Sequence, residues 1–285
     1  MKKLLFQLDT DEHPSVFDTV VAYDGGADHV IGHGNVNPDN VTPLVEGTIF
    51  TRAPKEKKFT AIFVGGSDMV AGEKLFKAVQ NNFFYDFRVS VMLDSNGSNT
   101  TAAAGVAKLL TSGDVAGKKA VVLAGTGPVG QRAAIMLAKE GAQVTITSRQ
   151  EARAKQACED MKSSFDVDIE GVEANDNDAR GKVIEDAQVV FATGAAGIEL
   201  ITPEHWENNS NIELMADANA TPPIGIGGTD MMDRGENRNG KYVWGAIGFG
   251  TLKLAVHRAC IEKLFEAKDQ LFDAEEVFAM AKSMA

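Results

Sequence analysis

Apolar residues follow two rhythms along this chain. Short continuous runs at 4–8, 61–64, 89–93, 119–124, 144–147, 189–192 and 212–216 have the length of buried strands. Between them, 15–21, 69–79, 129–139 and 252–265 carry apolar residues at helical spacing, and a charged helix is expected after Arg149. A late strand is expected at 243–246. A helix of small residues, with Ala102, Ala103, Ala104 and Val106, follows the polar run that begins at Asp94. Strands and helices that alternate from end to end predict an α/β fold with a largely parallel sheet. No internal repeat or low-complexity linker divides the chain, and a second block of alternation starts near Gly117. Two domains are expected: an N-terminal α/β domain over 1–110 and a parallel-sheet domain over 111–265. The segment 266–285 would pack back on the first.

Composition narrows the function more than the fold. With 285 residues, 44% of them hydrophobic and 24% charged, the chain can fill two cores and is not of the disordered class. A formal charge of −12 argues against general binding to nucleic acid or acidic membranes, so an anionic ligand needs a local basic pocket. Cys158 and Cys260 lie far apart and read as reduced thiols. His13, His29, His33, His205 and His257 are scattered without an HExxH pattern, and no metal is expected. After Met1-Lys2-Lys3 the apolar run Leu4-Leu5-Phe6 meets Gln7 and Asp9, too soon for an export segment, and no stretch is long enough to span a membrane. The expected location is the cytoplasm.

The sharpest motif is Gly125-Thr126-Gly127-Pro128-Val129-Gly130, between a predicted strand and a predicted helix. That context is what a dinucleotide fold needs. Gly125 permits the tight turn, Gly127 lets a pyrophosphate approach the backbone, and Gly130 lets helix and strand pack closely. The helix dipole and the free N–H groups of its first turn favour the anion. The C-terminal domain is therefore expected to be of the Rossmann type. The tip of its second strand reads Thr147-Ser148-Arg149-Gln150, without the acid that would bind a 2′-hydroxyl. Arg149 and Ser148 instead suit a 2′-phosphate, which favours NADP over NAD. Gly194-Ala195-Ala196-Gly197 suits either the approach of a nicotinamide, with Ala195 in contact, or a plain turn.

Candidate substrate residues lie outside this motif. Asp94-Ser95-Asn96-Gly97-Ser98-Asn99-Thr100-Thr101 is long and rich in donors. It suits a polar heterocycle better than a helix cap alone, although Asn99 or Thr100 would serve as a cap. Asp217-Ala218-Asn219-Ala220-Thr221-Pro222-Pro223 and Gly225-Ile226-Gly227-Gly228 form a second rigid edge. Gly245 to Lys253 places a lysine at the expected start of a helix.

With Asp94 to Gly105, Val121 to Gly130, Pro14-Ser15-Val16-Phe17-Asp18 and Tyr23 to His29, the chain resembles the bacterial NADP-dependent methylene-tetrahydromethanopterin dehydrogenases of one-carbon metabolism. His257-Arg258-Ala259-Cys260-Ile261 and Phe272-Asp273-Ala274-Glu275-Glu276 extend the likeness, which runs from Met1 to Ala285. It is greatest to the NADP-preferring branch, whose members also accept methylene-tetrahydrofolate. The resemblance implies a pterin site in a cleft between an N-terminal substrate domain and a Rossmann-type NADP domain. Lys253 would be its leading residue, with Asp18 as a catalytic partner and Asp94, Asn96, Ser98 and Thr101 as substrate contacts. It also implies a homo-oligomer, with a trimer as one form. Tyr23, Tyr85 and Tyr242 are followed four residues later by Ala27, Val89 and Ala246, so the tyrosine–lysine pair of the related cyclohydrolases is missing. Two other readings remain: a non-catalytic NADP(H) sensor on the same fold, and a shikimate-type dehydrogenase, which needs a lysine–aspartate pair.

Overall fold

The strand-like runs form two sheets, and all paired strands but one pair run parallel. The computed structural model describes residues 1–285. They divide into one unit of Met1–Thr100 with Leu254–Met284, and a second of Thr101–Lys253 with Ala285. The chain passes between the units inside helices α4 (Ser98–Ser112) and α9 (Ala246–Leu264). Both divisions fall earlier than the expected 110 and 265. A continuous helix carries no linker signal that would mark either point.

The first unit is built on β1 (Leu4–Asp9), β2 (His29–His33), β3 (Thr60–Gly65), β4 (Ser90–Leu93) and a short β12 (Leu271–Phe272), in the order β12-β4-β3-β1-β2. Its helices are α1 (Val16–Asp24), α2 (Thr42–Phe50), α3 (Met69–Asn81) and α10 (Ala274–Met284). Two of these starts carry a side-chain cap: Ser15 Oγ accepts the Asp18 N–H at 3.2 Å to open α1, and Asp68 accepts that of Ala71 at 3.0 Å to open α3. Leu8, Ile62, Val64, Val91 and Leu93 of the sheet pack with Val45 and Ile49 of α2 and Leu75 and Val79 of α3.

The second unit contains β5 (Lys119–Leu123), β6 (Gln143–Ser148), β7 (Ile169–Glu173), β8 (Val189–Ala192), β9 (Leu214–Asp217), β10 (Arg234–Arg238) and β11 (Lys241–Trp244). Their order is β10-β11-β9-β8-β5-β6-β7, and only β10 runs antiparallel to its neighbour. Helices α5 (Pro128–Lys139), α6 (Glu151–Phe165), α7 (Asn177–Val183) and α8 (Pro203–Trp206) link the strands. The chain steps outward from β5 to β7, then returns to lay β8 on the other side of β5. The strand order therefore reverses between β5 and β8, which is where open parallel sheets hold ligands. Val121, Leu123, Val190, Ala192, Met215 and Val243 form the core below that edge with Ile201, Trp206 and Ile226. No helix in the protein is long and apolar enough to cross a membrane. Cys158 and Cys260 are free thiols.

Candidate functional site

At the reversal point, β5 runs through Ala124, held at φ 54°, into the glycine turn and α5. The three glycines differ in what surrounds them. A Cβ on Gly125 would lie 2.8 Å from Ile146 Cβ, and one on Gly130 would lie 2.6 Å from Gly125 Cα and from Thr193 Oγ1. Around Gly127 nothing lies within 4 Å. Two glycines thus make the turn tight, and the middle one opens onto space that a phosphate group can enter. Gly127 is the N-cap of α5 and brings no capping side chain, while Pro128 follows at the first helical position. Gln131 Nε2 donates to the Thr126 carbonyl at 2.9 Å and braces the turn. Thr126, Pro128 and Val129 are all partly exposed on it. These features fit a dinucleotide pyrophosphate.

Ser148 and Arg149 lie at the tip of the neighbouring strand β6. The Ser148 hydroxyl is almost buried and accepts the Gln150 N–H at 3.3 Å. Its carbonyl accepts the Ala174 N–H at 2.7 Å. Arg149 is exposed. Beneath it Arg180 donates to the carbonyls of Leu200 and Ala174 and to Asn177 Oδ1. Burial lowers the Arg180 pKa, Asp176 opposes that effect, and the positive charge of Arg149 adds to it. The β6 tip thus brings Arg149 and Arg180 together, with the Glu173 carboxylate accepting the Glu151 N–H at 3.1 Å beside them.

Across the reversal point, Thr193 Oγ1 donates to the Leu123 carbonyl at 2.9 Å, which ties β8 to the end of β5. Ala195 follows on an exposed turn, and its carbonyl accepts from Asn219 Nδ2 at 3.2 Å. Gly125 to Gly130, Ser148, Arg149 and Ala195 therefore share the C-terminal edge of one sheet. In sequence, Asp217 to Pro223 shows only a rigid edge. The fixed contacts of Asp217 and Asn219 depend on loop geometry, which no local pattern encodes.

Asp18, Asp94, Asn96 and Ser98 lie in the first unit. Asp18 is in the first turn of α1 and partly exposed. The other three meet at the β4–α4 junction, where most polar groups bond one another. Asp94 is fully buried and accepts the Thr100 N–H at 3.1 Å and its hydroxyl at 2.6 Å. The capping group is therefore Asp94, not Asn99 or Thr100, because the helix starts far enough downstream for the carboxylate to fold over its first turn. Ser98, also buried, donates to the Ser95 carbonyl at 2.7 Å, and Asn99 donates to that of Leu93 at 2.7 Å. Asn96 is exposed at φ 58° and donates to the Ser67 carbonyl at 3.1 Å. His257, on α9, is fully buried with Nδ1 3.9 Å from Asp94 Oδ2, and it stacks on Phe63.

Thr101 and Lys253 belong to the second unit, on α4 and α9, and both are partly buried. The expected placement of Lys253 at a helix start needs correction. Helix α9 begins at Ala246, so Lys253 lies about two turns inside it, beyond the reach of the N-terminal dipole. The start moves forward because Gly245 lies against the backbone of Asp230 and Met231, and the expected strand ends at Trp244.

Two family models divide the chain. Residues 16–96 match the model described as "Methylene-tetrahydromethanopterin dehydrogenase, N-terminal", and residues 106–222 match "Shikimate / quinate 5-dehydrogenase". Over its whole length the chain is 57% identical to the "Bifunctional protein MdtA" of Methylorubrum extorquens, covering 99% of that protein. It is also 32% identical to the "NAD(P)-dependent methylenetetrahydromethanopterin dehydrogenase" of the same organism, covering 100% of this chain and 99% of that one. The chain belongs to the methylene-tetrahydromethanopterin dehydrogenase family. It is an oxidoreductase. The fold of this dehydrogenase is shared with the shikimate 5-dehydrogenase of Listeria monocytogenes solved with shikimate and NAD, at TM-score 0.54 and 14% identity, covering 100% of this chain and 96% of that one. The Mycobacterium fortuitum enzyme of that type gives 0.52 at 15% identity and 98% coverage of each chain.

Proposed function

We propose that this dehydrogenase reversibly oxidises methylene-tetrahydromethanopterin, and also methylene-tetrahydrofolate, to the methenyl form with NADP⁺. The observation that carries the cofactor half is the open Gly127 turn beside an exposed arginine, with no acidic residue among Thr147-Ser148-Arg149-Gln150 at the end of β6. Gly125 to Gly130 would hold the pyrophosphate, Ser148 and Arg149 the 2′-phosphate, and Ala195 would flank the nicotinamide end. The pterin half rests on the family. The shikimate-type match is confined to 106–222, whereas the first unit matches the methylene-tetrahydromethanopterin model.

When bound, NADP⁺ supplies the hydride acceptor. The substrate carbon lies between two nitrogens, and hydride loss leaves a delocalised amidinium. No carbon-bound proton has to be removed, so neither a histidine dyad nor a carboxylate pair is required. The chain has to orient the pterin, exclude water and tolerate the cation that develops. Orientation alone supplies about 7–11 kcal/mol in well-aligned systems. Lys253 Nζ would donate a hydrogen bond that orients the pterin, and the Asp18 carboxylate would stabilise the developing positive charge. Asn96 and Thr101 would meet the ring, and Asp94 and Ser98 would shape the junction that presents Asn96. The active form would be a homo-oligomer in the cytoplasm.

The deciding experiment follows nicotinamide absorbance with purified protein and each methylene pterin, paired in turn with NADP and NAD. Turnover with both pterins, fastest with NADP, is expected. Tight NADPH binding without turnover would discard the pterin reading in favour of a sensor.

A further inference from the structure

Ligand sites in a doubly wound sheet come in halves, one on each side of the reversal point. Here Arg149 marks the β6 side as the adenosine half, which leaves the tips of β8 and β9 for the nicotinamide half. The exposed turn at Ala195 and Ala196 lies at the β8 tip, with small side chains that let a planar ring come close. Its position is set from the next strand. Asn219 Nδ2 reaches the Ala195 carbonyl at 3.2 Å, and Asn219 is itself pinned by its N–H on Asp217 Oδ1 at 2.9 Å and its Oδ1 on the Thr221 N–H at 2.9 Å. Asp217 Oδ2 accepts the Ile226 N–H at 2.8 Å. The other end of the loop is tight too: a Cβ on Gly225 would lie 3.2 Å from both Asp217 oxygens and 3.0 Å from Ala192 Cβ. One fully buried carboxylate therefore clasps both ends of the loop 217–226, and Asn219 extends that clasp to the β8 turn.

We infer that Asn219, held by Asp217, is the positioning residue for the nicotinamide half of the dinucleotide. The inference rests on NADP binding at this edge. A loop needs no buried carboxylate merely to close, and burial drives the Asp217 pKa up to about 6 against the hydrogen bonds from Asn219, Ile226 and Gly225. The network holds an exposed turn in one place, which matters where a ring must be presented at a fixed distance and angle.

The test is calorimetric binding of NADPH and of 2′,5′-ADP, which has the adenosine half and both phosphates but no nicotinamide. Full-length wild type, Asn219→Ala and Asp217→Asn are compared. Asn219→Ala is expected to weaken NADPH about tenfold, the size of one lost hydrogen bond, and to leave 2′,5′-ADP within about twofold. Its kcat falls while the pterin KM holds. Equal weakening of both ligands, or of neither, overturns the inference. Asp217→Asn is expected to show the same split, and Asn219→Ala decides alone where that variant does not fold. Wild type that fails to bind 2′,5′-ADP overturns the underlying NADP reading, a result distinct from the other two.

Discussion

Arg149 is exposed, so its charge acts through water until a ligand covers it. Arg149→Ala is expected to weaken NADP by about 1.5–3 kcal/mol, the range for a hydrogen bond to a charged group, and to leave NAD unchanged. The ratio of kcat/KM for the two cofactors checks this, and an unaltered ratio removes Arg149 from the site. Lys253→Ala should cut pterin turnover while NADPH binding stays near wild type; loss of both together indicates a folding defect instead. Asp217 makes a prediction about pH. Burial raises its pKa from 3.8 to about 6, so the folded chain holds the proton more tightly than the unfolded one in that window. Its contribution to stability is greatest below pH 4 and declines as pH rises through 6, by on the order of 3 kcal/mol. Denaturation of wild type against Asp217→Asn between pH 4 and 7 should show the gap changing in that direction, and a constant gap refutes the assignment.

At the scale of elements, the glycine turn separates packing from binding. Gly130→Ala should destabilise the protein strongly, because the new Cβ lands on the Gly125 backbone. Gly127→Ala meets open space, and its melting temperature should stay near wild type while NADPH affinity falls. Parallel melting and binding curves on the two variants test both statements. The turn was legible because it combines a local motif with apolar runs on either side. Buried strands such as β3 and β8 were legible for the same reason, since every residue in them faces a core. Edge elements were not. β7 reads Ile169-Glu170-Gly171-Val172-Glu173 and has no buried residue, and β10 reads Arg234-Gly235-Glu236-Asn237-Arg238 with no apolar side chain. β10 forms because Asn239 and Gly240 take φ 52° and 81° and turn the chain back along β11. The β4–α4 junction hid its meaning differently. A run of polar residues looks alike in sequence whether its donors face a ligand or one another, and only the buried positions of Asp94, Ser98 and Asn99 distinguish the two.

For the whole molecule, charge sets behaviour in solution rather than fold. The net charge of −12 at pH 7 vanishes near the pI of about 4.9, and solubility should be lowest there. Turbidity against pH, at fixed protein and salt, checks this. The Asp217 contribution to stability grows over part of the same descent, so the chain precipitates where that residue favours its fold more. The β6 tip has another kind of consequence. Its backbone is tied down by neighbours, through the Ser148 carbonyl on Ala174, the Ser148 hydroxyl on Gln150 and Glu173 on the Glu151 N–H. Those bonds do not involve the side chain at 149. On the proposed 2′-phosphate role of Arg149, a change at this one codon would shift cofactor preference and leave the scaffold that carries it undisturbed, so descendants of this fold would drift between redox pools by a single inherited step.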